Sequence, residues 1–333
     1  MNIGIFDRFD TFIDESRNDY GGSQTWMLEV SKAFSNMGYT VHMFCNTRMH
    51  KYKNIVFIPK DKFEEVIQYA TYDKFIFCRG CYKIDKIQSP DVSLMMHDET
   101  MFNLDNSNID KLSHIYFLSQ YAMDVFTKTY GNNFISKYKL TCNGIDYSLY
   151  ETKCQKENMM VWSSCVERGY SFFIHKVLPL ILDEVSDFKV NVCQYKDKSI
   201  ELGRNTTYIG KCNKKELANL QLKAKIWCYP NLGYLTQPFQ YGKSFNETFC
   251  ITALENAAAG AHIVCGANGG LLTTISNDKL VCREFFEHNK VINEDEYAKQ
   301  LAHFAILCLQ DKLDLRYDDH HKYTWDNAAK SLL

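Results

Sequence analysis

The sequence predicts an α/β fold made of two doubly wound domains, each with a parallel sheet covered by helices. The chain has 333 residues, and because domains commonly hold about 100–200 residues, two are expected. Hydrophobic residues make up 46% of the chain, which is ordinary for globular domains and argues against disorder. Short apolar runs alternate with helical stretches in the first half, and the same alternation starts again in the second half.

The first half alternates strands with helices. Residues 22–37 predict a helix with its large apolar side chains on one face, and Gly38 ends it. A later helix begins after Ser119, a suitable cap, and ends at Gly131. Apolar runs predict strands at residues 2–6, 40–45, 54–58, 74–78, 92–96 and 115–118.

The pattern resumes after a polar boundary at residues 150–158. Pro179 is expected to kink a helix over residues 169–185. Asn213, with Glu216 three residues later, resembles a capping box at the start of the next helix. Strands are predicted at residues 159–163, 188–193, 206–209, 225–229 and 261–265, and further helices at residues 213–223 and 248–259.

This division gives two Rossmann-like domains and a terminal helix. The N-terminal domain spans residues 1–150, the C-terminal domain spans residues 151–320, and residues 321–333 form a helix expected to pack back towards the N-terminal domain. Open α/β sheets bind ligands outside the carboxyl ends of their strands. The cleft between the two domains is therefore the expected site.

Charge and hydropathy limit the possible partners and location. A formal net charge of -2 provides no strong field for nucleic acid. No stretch approaches the roughly 20 apolar residues of a membrane span, so membrane contact is at most peripheral. The first residues are too short an apolar run for a signal peptide, which predicts a cytoplasmic protein. In that reducing compartment the 13 cysteines are expected to be free thiols.

Two glutamates in one segment are the strongest chemical signal. Glu247 and Glu255 are eight positions apart, so if Glu247 opens the helix they are separated by about 12 Å along its axis. That distance suits the two ends of an extended ligand, such as a sugar joined through phosphates to a nucleoside. A helix N-terminus between them would favour phosphate. Glu255 also lies in an apolar run, where a carboxylate without a partner is costly.

The segment resembles the Glu-x7-Glu signature of the retaining GT-B glycosyltransferases of family GT4, the group that includes glycogen synthases and bacterial mannosyltransferases. The glutamate spacing, the small residues that follow and a later Gly-Gly pair fall in the family's order. The resemblance implies that Glu247 lies beside the donor sugar and that Glu255 binds the ribose hydroxyls. Thr248, Phe249 and Cys250 are expected to bind the donor as well.

Other positions match the same family. Gly21 and Gly22 precede the first helix, where the family has a Gly-Gly loop. His97 follows a strand at the place where the family has a histidine against the donor sugar. Arg168, followed by glycine, corresponds to the basic residue that neutralises the donor diphosphate, whereas the upstream Gly-Arg of many members is absent. One phosphate contact is therefore expected either to be absent or to be supplied by Ser164 or by a lysine elsewhere in the chain.

The resemblance implies transfer of a sugar with retention of anomeric configuration. The donor would be a UDP- or GDP-sugar and the acceptor a hydroxyl of a glycan, lipid or other glycoconjugate, with Glu247, His97 and Arg168 as the catalytic residues. The chain has no Asp-x-Asp motif, so no metal and no cofactor are expected. Residues 231–243 form an insertion with three aromatic side chains, a lid, an acceptor loop or a plain surface loop.

Three other functions remain open. A dehydrogenase is disfavoured because no Gly-x-Gly-x-x-Gly follows the first strand. A nucleotide-sugar epimerase shares the implied fold and would act on the donor without an acceptor. A non-catalytic nucleotide-sugar-binding protein is the third, although Glu247, Glu255 and Arg168 are all present. Cys78 and Cys81 form one cysteine pair without a second pair at zinc-ligand spacing, which disfavours a zinc site.

Overall fold

The computed structural model describes residues 1–17, 20–99, 106–193, 200–233, 246–287 and 290–333. The chain divides into two compact units. The first unit is Met1–Gly144 together with Tyr323–Leu333, and the second unit is Ile145–Lys322. Each is mixed α/β with parallel strand pairing, as the alternation of apolar and helical segments predicts.

The first unit is built on an eight-stranded sheet of order β3-β4-β2-β1-β5-β6-β7-β8. All neighbours pair in parallel except β3 and β4, which form an antiparallel edge. Strand β3 was not predicted, since its His-Lys-Tyr sequence contains no apolar run. The strands are β1 (Asn2–Asp7), β2 (Thr40–Cys45), β3 (His50–Tyr52), β4 (Ile55–Pro59), β5 (Lys74–Cys78), β6 (Val92–Met96), β7 (His114–Phe117) and β8 (Tyr138–Leu140).

Two long helices of the first unit match their predicted bounds. The predicted helix over residues 22–37 is α1, which buries Trp26, Val30 and Phe34 against the sheet. The Ser119 hydroxyl accepts a hydrogen bond from the Ala122 amide and caps α4. The helices of this unit are α1 (Gly22–Asn36), α2 (Phe63–Val66), α3 (Asn106–Asp110), α4 (Gln120–Tyr130) and, from the C-terminus, α11 (Trp325–Lys330).

The C-terminal helix is held by the first unit through close backbone packing and a buried polar group. A Cβ on Gly144 would lie 2.2 Å from the Trp325 amide nitrogen, so only glycine permits this approach. The Tyr116 hydroxyl donates to the Leu332 carbonyl at 3.0 Å. The Tyr116 hydroxyl in turn accepts a hydrogen bond from the ammonium of buried Lys74, and Lys74 Nζ also lies 2.5 Å from Asp91 Oδ2. Helix α11 also packs against α1.

The second unit carries two parallel ladders, β11-β10-β9 and β12-β13, and a short antiparallel pair, β14-β15. The strands are β9 (Met159–Trp162), β10 (Lys189–Cys193), β11 (Thr206–Gly210), β12 (Ile226–Tyr229), β13 (His262–Cys265), β14 (Phe286–Glu287) and β15 (Lys290–Val291). The helices are α5 (Tyr170–Phe172), α6 (Leu178–Glu184), α7 (Lys214–Lys223), α8 (Ile251–Ala258), α9 (Leu271–Thr274) and α10 (Glu294–Leu309).

The helix predicted over residues 169–185 is present and contains a π-helical turn. A π-helical turn over Phe173–Val177 separates α5 from α6. Pro179 lies in the first turn of α6. Proline is tolerated there because a backbone N–H in the first turn of a helix has no carbonyl of that helix to pair with. The irregularity of the helix is therefore the π-helical turn, which lies directly before the proline.

Lys156 connects the C-terminal ends of helices α7 and α8. The Lys156 ammonium donates to the last carbonyls around α7 and α8, Ala224 at 2.9 Å and Ala259 at 2.5 Å. Cations stabilise helix C-termini because they satisfy carbonyls and complement the helix dipole. Burial lowers the pKa of Lys156 to about 8. The contact fixes where α7 and α8 end relative to each other.

Of the described helices, none is both long enough and apolar enough to span a bilayer.

Candidate active site

Glu247 is a buried acidic residue of the second unit. Its side chain is only 3% exposed, and Oε1 accepts from Arg168 Nη1 at 3.1 Å and from the Tyr229 hydroxyl at 2.5 Å. Burial and the neighbouring carboxylate raise the pKa of Tyr229, so the phenol stays a donor. Two hydrogen-bond donors thus hold the side chain of Glu247 at one end of the parallel strands.

The backbone of Glu247 is fixed by the loop that follows β13. Its amide donates to Asn268 Oδ1 at 2.8 Å, and its carbonyl accepts from the Gly270 amide at 2.5 Å. Buried Asn268 is itself held, accepting from Asn231 Nδ2 at 3.1 Å and donating to Asn246 Oδ1 at 3.1 Å. The sequence pattern indicates the Gly-Gly pair but not these asparagines. For Asn268, its position between Gly266 and Gly269 after a buried strand is the signal that could have found it.

Gly270 permits the close approach of two backbone segments. A Cβ at this position would lie 2.3 Å from the Thr248 carbonyl carbon and 2.7 Å from the Phe249 nitrogen. Both are main-chain atoms, so they cannot rotate away as a side chain could. The glycine is therefore required by packing next to Glu247 rather than by its own dihedral angles.

Gly270→Ala is expected to lower the free energy of unfolding by about 2 kcal/mol, because the added methyl group overpacks a backbone contact. Chemical denaturation of the purified protein measures this change. Gly21→Ala is the matched control for stability, since a Cβ there meets only Gln24 Oε1, at 3.4 Å, and φ is -70°. Equal stability of the two variants would contradict the assigned contact.

The segment after Glu247 differs from the sequence prediction. The helix was expected to run over residues 248–259 with Glu247 at its opening, but α8 begins only at Ile251. Cys250, the residue before α8, has a left-handed backbone conformation (φ 80°, ψ 78°), which is energetically costly for residues other than glycine. Thr248, Phe249 and Cys250 are buried in an extended turn, where the Thr274 hydroxyl donates to the Phe249 carbonyl. The separation of about 12 Å along one helix therefore does not apply to the two glutamates.

Glu255 lies on α8 and faces α7. Burial raises the pKa of Glu255, and the charge of Lys214 and the amide of Gln221 lower it in part. The Tyr150 hydroxyl donates to Gln221 Oε1 at 2.9 Å, and burial followed by the charge of Glu255 raises the pKa of Tyr150. Glu255 is thus a carboxylate held in poorly solvated surroundings, with a cation at the start of α7 facing it.

Arg168 approaches Glu247 from the loop after β9. Gly169, with φ 98°, closes this loop, and a Cβ there would lie 2.5 Å from the Pro230 carbonyl oxygen. Although partial burial opposes it, the charge of Glu247 raises the pKa of Arg168, which stays cationic. Buried Ser164 belongs to the same loop, and its carbonyl accepts from Trp162 Nε1 at 2.9 Å. The side chain of Arg168 is a third exposed, so it remains accessible to a ligand.

The first unit places two of its predicted site features next to the same helix. Gly21 caps α1 and Gly22 is its first residue. The chain itself does not require glycine at position 21, where a Cβ would have ordinary contacts, so its small size leaves the helix N-terminus accessible. His97 follows β6, is buried, and meets the Trp26 ring of α1 edge-on with centroids 5.0 Å apart.

His97 is neutral across the physiological pH range. Burial, and then the charge of Arg79, lower the pKa of His97 to about 3. Arg79 follows β5 with left-handed backbone (φ 63°) and pairs with Asp7 at the end of β1, Nη2 to Oδ2 at 2.9 Å. Its guanidinium also lies 3.6 Å from the centre of the Phe9 ring. This Asp7–Arg79 pair was missed, because nothing in the spacing of its residues shows that β1 and β5 are neighbours.

A third cluster in the first unit has the composition of a metal site. Asp14, Glu15 and His50 place one ligand atom each within 4.8 Å of the others, the only such group among the described residues. An ion pair accounts for the contact, since His50 Nε2 lies 2.6 Å from Glu15 Oε2. Although partial burial opposes it, the Arg48 carbonyl and Glu15 raise the pKa of His50.

Most of the predicted insertion lies outside the described residues, including its three aromatic residues, Tyr234, Phe239 and Tyr241. Of its first residues, Asn231 is buried and contacts Asn268, as described above.

Residues 189–317 match the family model described as Glycosyl transferases group 1. The matched residues include Glu247, Glu255 and the loop of Asn268 and Gly270. No curated protein sequence matches the chain.

Solved structures of glycosyltransferases share the fold over almost the whole chain. A sucrose-phosphate synthase from Thermosynechococcus elongatus is 12% identical, with 99% of this chain and 97% of that chain covered and a TM-score of 0.61. AviGT4, a glycosyltransferase involved in avilamycin A biosynthesis, is 13% identical, with 99% and 95% covered and a TM-score of 0.63. HepE from Anabaena, in complex with UDP and glucose, is 13% identical, with 99% and 94% covered and a TM-score of 0.54. These neighbours confirm the predicted GT-B fold with two Rossmann-like domains.

Proposed function

We propose that the chain is a retaining, metal-independent glycosyltransferase of the GT4 type. It would move a sugar from a UDP- or GDP-sugar to a hydroxyl of a glycan or other glycoconjugate. The observation that carries the proposal is the buried Glu247 carboxylate, which lies in the region that matches the group 1 family model and is held by Tyr229 from that region and by Arg168 from outside it. The HepE structure, which holds UDP and glucose on the same fold, supports a nucleotide-sugar donor.

The residues of the second unit suit the two ends of such a donor. Arg168 is cationic and partly exposed, so its guanidinium can donate to the diphosphate while one nitrogen remains near Glu247. Glu255 would accept hydrogen bonds from the ribose hydroxyls, with Lys214 balancing its charge. The remaining donor contacts would come from residues of the same two segments as Arg168 and Glu247, namely Ser164, Thr248, Phe249 and Cys250.

The chemical step would need positioning and electrostatics from the protein. As the bond between the anomeric carbon and the donor phosphate breaks, the acceptor hydroxyl attacks that carbon from the same face. Its proton passes to the departing phosphate oxygen, and the configuration is retained. Arg168 would stabilise the growing negative charge of the diphosphate, the kind of effect that contributes most in many enzymes. Neutral His97 would hydrogen bond to a donor sugar hydroxyl, with Gly21 and Gly22 allowing close approach of backbone.

The proposal also includes the surroundings of the reaction. We place it in the cytoplasm, with at most peripheral contact to a membrane and with no nucleic acid partner. The formal net charge of -2 supports the latter expectation, since phosphate-backbone binding relies on basic surfaces.

A ligand screen followed by product analysis tests the function. Melting temperatures are measured with UDP-, GDP-, ADP- and dTDP-glucose and with NAD, because a ligand that binds only the folded state raises the melting temperature. We expect a UDP- or GDP-sugar to stabilise the protein and, with an acceptor mixture, to yield a glycosylated product with retained configuration by NMR. Stabilisation by NAD alone would indicate a dehydrogenase. An isomerised donor formed without acceptor would indicate an epimerase, and either result overturns the proposal.

A further inference from the structure

Two cysteines of the second unit lie in direct contact. Cys193 ends β10, and Cys212 lies in the loop between β11 and α7, with 3.5 Å between their Sγ atoms. A disulfide bond measures about 2.05 Å, so the sulfurs need to approach by only about 1.5 Å to reach bonding distance. Both are free thiols. Their contact spans two segments that are well separated in the sequence, so a bond between them would restrain the loop before α7.

The two thiols differ in environment. Cys193 is 4% exposed and packs in a small apolar cluster with Met159, Val161 and Ala224. Burial, and then the neighbouring Cys212, raise the pKa of Cys193 well above that of a free thiol. Cys212 lies at the border of this cluster and is partly exposed. An oxidant from solution therefore meets Cys212 first, and Cys193 is the thiol placed to resolve the product.

We propose that Cys212 and Cys193 form a reversible disulfide site that weakens donor binding when oxidised by a small-molecule disulfide. The Cys212 thiolate attacks one sulfur of the oxidant, forming a mixed disulfide and releasing one thiol. Cys193 then loses its proton as its sulfur attacks Cys212 Sγ and forms the protein disulfide, and the departing small-molecule sulfur takes up a proton and leaves as the second thiol. Two protein thiols are oxidised, and one small-molecule disulfide is reduced to two thiols.

The structure links this pair to the nucleotide end of the proposed donor site, and this step rests on the proposed function. Asn213, next to Cys212, caps α7 through a capping box. Its side-chain Oδ1 accepts from the backbone N–H of Glu216 at 3.0 Å, and its backbone N–H donates to Glu216 Oε2 at 2.9 Å. Lys214, the first residue of α7, faces Glu255 and lowers the pKa of that carboxyl. A shift of Cys212 towards β10 therefore moves the helix start that carries the cation opposite the expected ribose ligand.

The experiment compares reduced, oxidised and re-reduced protein. The protein is treated with oxidised glutathione, the Cys193–Cys212 cross-link is sought by peptide mass spectrometry, and the Kd for UDP is measured by calorimetry. If the screen selects another base, the corresponding nucleotide diphosphate replaces UDP. We expect the cross-link, about tenfold weaker nucleotide binding, as for loss of one charged contact, and recovery with dithiothreitol. Cys212→Ser should bind like the reduced wild type in both conditions, and exposed Cys154 provides the matched control variant, Cys154→Ser.

Each contrary result has a separate meaning. Glutathione on Cys212 without the cross-link contradicts the disulfide site. A cross-link with unchanged nucleotide affinity contradicts its control of binding. If the reduced protein binds none of the nucleotides, the proposed function fails, whereas the peptide map still decides whether the disulfide site exists.

Discussion

Arg168→Met is expected to lower kcat/KM with the stabilising nucleotide-sugar by about 10³-fold, the upper range for removing one group that stabilises transition-state charge. Methionine keeps much of the aliphatic length but cannot donate to a diphosphate. Arg168 is positioned for this contact, since its loop is closed by Gly169 and its side chain is a third exposed. Initial rates measured with saturating acceptor give the ratio.

The same variant is expected to cost about 2 kcal/mol of folding stability, because breaking a buried pair leaves Glu247 with one donor fewer at Oε1. The double variant Arg168→Met/Glu247→Gln separates stability from catalysis. A neutral amide at position 247 needs no cation, so the double variant should recover most of the lost stability. It should recover none of the activity, since neither diphosphate neutralisation nor the carboxylate is restored.

An exposed arginine of the same unit supplies the control. Arg204→Met removes a cation from the surface, and both stability and activity should stay near those of the wild type. If Arg168→Met keeps full activity, Arg168 does not bind the diphosphate. If the double variant is no more stable than Arg168→Met, the ion pair with Glu247 does not account for the loss.

Most of the fold could be predicted because its buried strands are short apolar runs. The strands from β1 to β13 lie close to the predicted positions, apart from the polar edge strand β3 and the short β8. The start of α8 was placed three residues too early, since Thr248 and Phe249 are compatible with helix locally. The left-handed Cys250 follows from contacts made elsewhere, where Gly270 and Thr274 hold the backbone of this segment.

The sequence singles out some residues of the candidate site but not the residues that hold them in place. Glu247, Arg168 and Glu255 could be identified by resemblance, because a motif is a local property of the sequence. Tyr229 and Asn268 could not, since their contacts with Glu247 depend on which strand ends the fold brings together.

Glu255→Gln is expected to weaken nucleotide binding by about 100-fold, because the ribose hydroxyls lose a charged acceptor. Glutamine has the same shape and can still contact Gln221, so packing on α8 is preserved. Calorimetry with UDP, or with the nucleotide that the screen selects, measures the loss. Glu184→Gln, which changes an exposed glutamate at the end of α6, is the matched control and should bind normally.

The same substitution should not destabilise the protein at neutral pH. Burial raises the pKa of Glu255 above 4.5, so protonation favours the folded state, and this contribution is lost as pH rises through the folded pKa. The ionised carboxylate therefore counts against folding at neutral pH, and glutamine should raise the melting temperature there, with the difference vanishing in acid. Wild-type nucleotide affinity should instead rise with pH over the same range, as the carboxylate ionises. A variant that both binds normally and melts lower would mean that Glu255 is a structural residue. Opposite changes in stability and binding would mean that the fold tolerates an unfavourable charge there because the ligand needs it.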